Sequence, residues 1–467
     1  MKTTETTKPV DVLIIGDGLA GRLAALAAQR EGSSVLIIDK CSAHVPHGNT
    51  AFSGGAFRRI SRQYPEKKYF ADIMKVSEGA ADPRLTRITI RNSPNVIRRL
   101  RGLGVTWTLP SSNPGRALSV LGRGAALVTA LSKAVKKMNI PIMYNAKALE
   151  ILRSKGRPTG VKVKTKEGVT TIPSKAIVLA TGGFQANRKM VVRYLGKGAH
   201  RLVLRGYKGN TGDGLVLAKK LGARLEGMEG YHGGVIHYGY KKNPRFGARR
   251  GMRSVKRYEP AILVNQEGQR FVDEGEDTAD KTYAKFGRII ALTQPGGIAY
   301  LIFDSGAKEI IDPMYQGPGK GPIESMTISD LAKKLGIHAL KLQRTIEQFN
   351  AAVSKGKTTG ITPPKSHFAR RIETPPYCAY VVTGGMTFTF GGIKISEKSE
   401  VLDKTMKAVP GVYAAGEITG GFFYHNYPAG SSLTRCAVFG EIAGQNAARY
   451  AHRMFDRGGN HSGGNRA

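Results

Sequence analysis

An unbroken apolar run, Val10–Ile15 (VDVLII), passes directly into Gly16-Asp17-Gly18-Leu19-Ala20-Gly21, and this junction constrains the fold more than any other stretch of the chain. A short run with no polar alternation is the pattern of a parallel strand buried on both faces. Gly16 and Gly18 permit a tight turn and the close approach of a pyrophosphate, while Gly21 lets the next helix pack against the strand. The spacing predicts that helix over Leu23 to Arg30, alanine-rich and free of proline, with its N-terminal amides and dipole turned to phosphate charge. A second apolar run, Val35–Ile38, ends at Asp39 and Lys40. Asp39 lies about 20 residues on, where an acid hydrogen-bonds a ribose hydroxyl and disfavours a 2'-phosphate. Strand, glycines, helix and acid in this order predict a dinucleotide site.

Two further glycine segments read as returns to the same site: Ala180-Thr181-Gly182-Gly183-Phe184 and Gly411-Val412-Tyr413-Ala414-Ala415-Gly416-Glu417. Between Asp39 and the first of them lies a polar loop, Gly48 to Arg58, whose Asn49, Thr50, Ser53, Gly54 and Gly55 suit wrapping a cofactor. Helical patterns follow from about Lys67 to Leu103 and from Ala125 to Met138. Strand-like segments lie around Ile142, Val161–Thr165 and Ile177–Leu179, and Ala148 is counted among the cofactor contacts. Asn210-Thr211-Gly212-Asp213-Gly214 opens a helix through Leu221, and Asn210 and Asp213, with Lys40 and Glu417, are further expected cofactor contacts. A less regular stretch, 226–372, carries a helical pair near Ile328 to Val353. The expected fold class is α/β, a dinucleotide domain (1–225 and 373–455) interrupted by an α+β capping domain (226–372), with a flexible tail at 456–467.

At 467 residues the chain exceeds one ordinary hydrophobic core, and 41% hydrophobic residues are enough to fill two. No apolar stretch approaches the ~20 residues that cross a bilayer. The polar start, MKTTETTKPV, is unlike a secretory signal, so a cytoplasmic protein is expected, with peripheral attachment to a membrane surface as an option. Three scattered cysteines form no disulfide framework, and no haem, iron-sulfur or zinc spacing is present, so no metal is expected. Lys and Arg number 72 against 34 Asp and Glu, a formal net charge of +38. Lys241, Lys242, Arg245, Arg249, Arg250, Arg253, Lys256 and Arg257 crowd one stretch. That charge is a solvated face, a field that steers an anionic substrate, or a footing on an acidic surface. No nucleic-acid module accompanies it, so nucleic acid is not an expected partner.

Asn210-Thr211-Gly212-Asp213-Gly214, Asn265-Gln266-Glu267-Gly268-Gln269-Arg270-Phe271-Val272-Asp273-Glu274 and Val412-Tyr413-Ala414-Ala415-Gly416-Glu417 together resemble the fumarate reductase and succinate dehydrogenase flavoprotein family. Within it, Glu274-Gly275-Glu276-Asp277, Tyr283-Ala284 with Gly287-Arg288, Lys365-Ser366-His367-Phe368-Ala369-Arg370, Thr374-Pro375-Pro376-Tyr377 and Thr387-Phe388-Thr389-Phe390 resemble the tricarballylate dehydrogenase branch. The resemblance implies a Rossmann-like FAD-binding domain of the glutathione-reductase type. It also implies hydride exchange that makes or removes a carbon-carbon double bond beside a carbonyl or carboxylate.

Departures from the family pattern narrow the substrate. The catalytic arginine of soluble fumarate reductases falls at Thr278, their carboxylate-binding arginine at Tyr427, and a substrate-binding histidine near Phe388. Fumarate is therefore not expected. Tyr427-Pro428-Ala429-Gly430 also resembles ketosteroid dehydrogenases, in which a tyrosine polarises a ketone, so an enone substrate stands beside an anionic one. The expected catalytic residues are Tyr427 and Tyr283 for proton donation or carbonyl polarisation, Arg288 for a carboxylate, with Arg253 and Arg257 as alternatives, and His425 as a proton carrier or an ordinary loop histidine. Gly430-Ser431-Ser432-Leu433 opens a helix whose amides could face the flavin's N1 and O2 side. FAD is expected to be noncovalent, since neither His44 nor His47 falls on the position used by relatives that attach it. The family suggests a membrane-associated iron-sulfur electron acceptor. A flavin-bearing electron-transfer subunit without its own substrate is the alternative from another class.

Overall fold

The computed structural model describes residues 9–45, 48–109, 115–242, 254–255, 257–311 and 321–459. The first strand, β1 (Val10–Ile15), leads through the glycine turn into α1 (Leu19–Arg30), which returns the chain to β2 (Val35–Ile38). β1 and β2 are parallel, with Val12 opposite Val35 and Ile15 opposite Ile38. Val12 to Ile14 are fully buried, as a strand covered on both faces requires. A short strand β3 (Ala56–Arg58) forms at the end of the stretch 48–58 expected as a polar loop, and α2 (Arg123–Lys137) precedes β4 (Ile142–Met143), which extends the parallel sheet beside β2. β5 (Val169–Leu179) is the long strand on the other side of β1, with Ile15 opposite Leu179. Its end therefore lies level with the end of β1, and both point their following turns to one edge of the sheet.

A second compact unit comprises Val191–Arg205 and Tyr231–Thr387. The stretch 191–205 belongs to it because residues 203–204 pair in parallel with Gly385 and Met386. Its strands β6 (Tyr231–His237), β7 (Ile298–Asp304) and β8 (Tyr377–Thr389) form a mainly antiparallel sheet with Ile262–Val264. A helix, α3 (Phe286–Thr293), packs on β6 through glycines. A Cβ on Gly287 would fall 2.2 Å from Gly234 O, and one on Gly233 would fall 2.8 Å from Arg288 Cβ. The helical pair Ile328–Leu335 and Ala339–Ala352 closes a core of Ile262, Val264, Ile302, Leu331, Leu342, Ile346 and Phe349.

The chain then returns to the first unit, where β9 (Ala408–Ala414) joins the parallel sheet beside β5, Val412 opposite Ile177. The order along that sheet is 400–402, β9, β5, β1, β2, β4. The last helix, α4 (Ser431–Gly459), lies along α1. Their contact is close because Gly440 and Gly444 face Ala20 and Ala24; a Cβ on Gly444 would fall 2.1 Å from Ala24 O. α4 continues through 456–459, where a flexible tail was expected, and residues 460–467 lie outside the described residues. The fold is thus an α/β dinucleotide-binding domain interrupted in sequence by an α+β unit.

Candidate active site

The turn after β1 is built by backbone contact. Gly16 takes φ +113°, a region that side chains rarely adopt, and a Cβ there would lie 2.4 Å from Ala180 O. A Cβ on Gly21 would lie 2.0 Å from Gly16 O. Gly18 differs, because a Cβ on it would meet nothing within 4 Å. It begins α1 without a side-chain cap, so the helix's first amides, at Leu19, Ala20 and Gly21, are not satisfied by the residue that starts the helix. Among the described residues only Leu19 N finds a side chain, Thr50 Oγ1 at 3.4 Å. Uncapped amides beside an open glycine fit a pyrophosphate.

Asp39 stands at the end of β2, its carboxylate accepting from Asp17 N at 2.9 Å and Cys41 N at 2.8 Å. Asp17 itself is buried against Arg22, Oδ1 to Nε 2.6 Å, which rigidifies the turn from inside. Lys40 and Asp213, both expected at the cofactor, form an ion pair with each other, and Lys40 Nζ also donates to Thr211 Oγ1 at 2.6 Å. Ala148 lies in a strand of residues 147–154, with Ala146 N donating to Asp39 O at 2.9 Å just before it. Ser53 Oγ donates to Thr50 O at 2.7 Å, and Gly55, at φ +71°, packs on the start of α2. Gly54 leaves open space where a Cβ would stand.

Glu417 draws the distant segments together. Asn49 Nδ2 and Asn210 Nδ2 each donate to its Oε2 at 3.1 Å, and Thr389 N to its Oε1 at 3.4 Å. Thr181-Gly182-Gly183 packs on these groups so closely that a Cβ on Gly183 would fall 2.5 Å from Glu417 Oε1, and one on Gly182 2.6 Å from Asn210 Nδ2. Desolvation pushes the Glu417 carboxyl up to about 7, against the amide hydrogen bonds that hold it down. Gly416, at φ +88°, brings this turn against Ala20. Further along, Ser431 is buried and accepts from Tyr69 Oη at 3.0 Å, whereas Ser432 and Leu433 are half-buried on an otherwise covered helix end. The half-exposed pair and the uncapped start of α1 are both available to a dinucleotide, so the residues present fit FAD.

Tyr427, 6% exposed, stands in an aromatic wall: its ring centroid lies 5.3 Å from Phe388, 5.3 Å from Phe423 and 5.9 Å from Phe390. His425, two residues away, does not share this environment. Its side chain is 43% exposed, with Nε2 3.9 Å from Glu78 Oε2. Arg435 is buried below the same wall, its guanidinium 4.7 Å from the Phe422 ring and 5.1 Å from Phe423.

In the second unit, Tyr283 caps a short helical turn and packs edge-on against His232, centroids 5.0 Å apart. Arg288, on α3, lies over the ring of Tyr231 at 5.5 Å. Tyr231 and His232 begin β6, so sheet and helix bring four polar side chains to one place. The acids near Arg288 in sequence are taken elsewhere. Glu274 holds Arg270 in a buried pair at 2.6 Å, Asp277 holds Lys281 at 2.6 Å, and Glu276 holds Lys285 at 2.7 Å. Among the described residues Arg288 has no ion pair. Thr278 donates to Asp280 Oδ1 at 2.7 Å and only begins a helical turn. Arg257 is exposed, and Arg253, with most of the basic stretch, and His47 lie outside the described residues. His232 was not singled out in the sequence, although it precedes the paired glycines 233 and 234, the signal sought instead near Phe388.

A family model described as FAD binding domain matches residues 11–433, which spans the glycine turn, the second unit and the return. The chain belongs to this family. It is 31% identical to a fumarate reductase (cytochrome) of Shewanella frigidimarina over 95% of this chain and 78% of that protein. The solved structure of an open-conformation flavocytochrome c3 fumarate reductase is similar at a TM-score of 0.74, with 27% identity, 95% of this chain and 79% of that one covered. A 3-ketosteroid Δ1-dehydrogenase of Sterolibacterium denitrificans shares the fold at a TM-score of 0.78 and 20% identity, covering 95% of this chain and all of that one. The family resemblance read from the motifs therefore holds, as does the α/β FAD-binding fold with its capping domain. The relatives and solved structures named here are fumarate reductases and a ketosteroid dehydrogenase, not tricarballylate dehydrogenases. The family member described here is an FAD-dependent oxidoreductase acting on CH-CH groups. No helix among the described residues is long and apolar enough to cross a membrane.

Proposed function

We propose that the enzyme interconverts a carbon-carbon single and double bond beside a carboxylate, on a substrate other than fumarate and in the manner of the tricarballylate dehydrogenase branch. The observation that carries this reading is Arg288, without an ion pair among the described residues while Glu274, Glu276 and Asp277 are each engaged by another cation. A guanidinium placed so grips a carboxylate through two parallel hydrogen bonds. Bound FAD supplies the hydride acceptor or donor. Tyr427 Oη or Tyr283 Oη donates a hydrogen bond to the oxygen on which enolate charge develops, and His232 is a further group able to carry a proton. The wall of Phe388, Phe390 and Phe423 excludes water around Tyr427, which strengthens that hydrogen bond.

The same wall favours one second reading, an apolar enone whose ketone Tyr427 polarises, as in a ketosteroid dehydrogenase. FAD is held without a covalent bond in either case, and electrons leave to a separate iron-sulfur, cytochrome-bearing or membrane-associated partner. The deciding experiment is anaerobic: tricarboxylates, dicarboxylates and 3-ketosteroids are tested for bleaching of the oxidised flavin, and fumarate, urocanate and aconitate for re-oxidation of the reduced one. Reaction with a carboxylic acid supports the first reading and reaction with steroids alone the second. Reaction with none supports a flavin-bearing electron-transfer subunit and defeats both. Yellow colour in the acid-precipitated pellet would overturn noncovalent attachment.

A further inference from the structure

The turn that carries Tyr427 is held from behind by a buried cation. Arg58 is 0% exposed, although it ends β3 in the first unit, and its guanidinium Nε donates to Ala429 O at 2.9 Å. Its Nη1 donates to Tyr64 Oη at 2.9 Å, and Tyr64 Oη donates onward to Asp72 Oδ2 at 2.5 Å. The Asp72 carboxylate, 3.7 Å from Arg58 Nη1, neutralises the charge. The rings of Tyr64 and Tyr69 cover the guanidinium at 5.3 and 5.9 Å. The Arg58 backbone adds two more links, donating from N to Gly430 O at 3.2 Å and accepting at O from Thr434 Oγ1 at 2.8 Å. Tyr69 Oη reaches Ser431 Oγ. Gly430 takes φ +88°, and a Cβ on it would lie 2.8 Å from Arg58 N, so the turn and β3 are in direct backbone contact.

Burying a guanidinium is strongly unfavourable unless its donors and its charge are matched. Packing alone would be served as well by an apolar side chain. What the guanidinium adds is direction: a planar fork fixed by Tyr64 on one side fixes the Ala429 carbonyl on the other. That carbonyl is two residues from Tyr427 and two from Ser431, the start of α4. We propose that Arg58, aimed by Tyr64 and Asp72, is a positioning residue that locks the Tyr427-Pro428-Ala429-Gly430 turn and the first turn of α4 into one rigid piece. The phenol keeps its aim, and the amides of Ser432 and Leu433 are held in the orientation that binds negative charge on the flavin. The part that concerns the phenol rests on the reading of Tyr427 as the donor; the part that concerns α4 does not.

The test uses the FAD-loaded full chain and two readouts. Sulfite, which adds to flavin N5 and leaves an anionic ring, is the probe for the α4 amides. Arg58→Met should weaken sulfite binding about tenfold and lower the two-electron flavin potential by about 30 mV, the equivalent of that factor. Tyr64→Phe removes one oxygen and should move both in the same direction by less; it is the deciding variant if Arg58→Met does not retain FAD. Unchanged sulfite affinity and potential in a variant that retains FAD would overturn the positioning role. For the phenol, turnover of the panel substrate is compared in Arg58→Met, Tyr427→Phe and the double variant. Each single change should lower kcat about a hundredfold with little change in KM, and the double should lose little more than either. Multiplying losses would overturn the coupling. Unaffected turnover in Tyr427→Phe alone would defeat the functional reading while leaving the sulfite result to decide Arg58.

Discussion

Glu417 is a carboxyl group surrounded by amides, and its protonation is therefore linked to folding. Burial raises its pKa from the ordinary 4.5 to about 7, so between those values the native protein binds more protons than the unfolded chain. Stability in the FAD-free protein should consequently fall as pH rises from about 4.5 to 7, and Glu417→Gln should flatten that part of a Tm-against-pH curve. A slope that survives the substitution would locate the linkage elsewhere. Arg288 makes a different demand. If it holds a carboxylate of the substrate, Arg288→Gln should raise KM by at least tenfold for an acid substrate, since a charge-assisted pair is worth about 1.5–3 kcal/mol. The same change should leave a neutral enone's KM unmoved in steady-state assays. Of the two, only the role of Arg288 toward a carboxylate is legible in the sequence. Glu417 announces itself only as the acid after a glycine, whereas its partners Asn49 and Asn210 are 368 and 207 residues away. Arg288 could be read as a cation, but that its neighbouring acids are occupied by Arg270, Lys281 and Lys285 is a property of the folded chain.

The elements show where sequence patterns reach and where they stop. β1 and β2 begin and end at the residues expected, because an apolar run bounded by glycine or an acid has sharp edges. α1 starts at Leu19, four residues earlier than its hydrophobic pattern suggested, because the glycine motif itself is helical from Leu19. α4 is expected from the sequence through Ala448 and continues to Gly459. The linkage of β3 to the turn before α4 lies beyond sequence reading, since Arg58 and Ala429 are 371 residues apart and no period connects them. The glycines between α1 and its neighbours make the sharpest prediction at this scale. Gly21→Ala would place a methyl 2.0 Å from Gly16 O, a backbone atom that cannot move without opening the turn. Overpacking of that kind costs about 1–3 kcal/mol. The variant should therefore melt lower and release FAD on gel filtration, whereas Gly32→Ala, with open space but φ +85°, should lower Tm without releasing FAD.

At the scale of the whole molecule, charge is the feature that folding does not use. A formal net charge of +38, left after all 34 acids are counted, opposes compaction by self-repulsion. Part of the excess lies on the helix of residues 83–102, where Arg84, Arg87, Arg91, Arg98, Arg99 and Arg101 are exposed and, among the described residues, only Arg84, Arg91 and Arg99 approach a carboxylate. Such a surface attracts anions over the Debye length, which is about 10 Å at 0.1 M salt and about 3 Å at 1 M. For an anionic substrate the field raises the encounter rate without touching the chemical step. Apparent KM should then climb about tenfold between about 0.02 and 0.5 M potassium chloride while kcat stays level, and a neutral enone should show no such climb. Two substrates on one enzyme make the comparison internal: a salt-insensitive KM for the acid would mean that the positive surface serves a macromolecular partner or simply solvation, and that Arg288 alone selects the carboxylate.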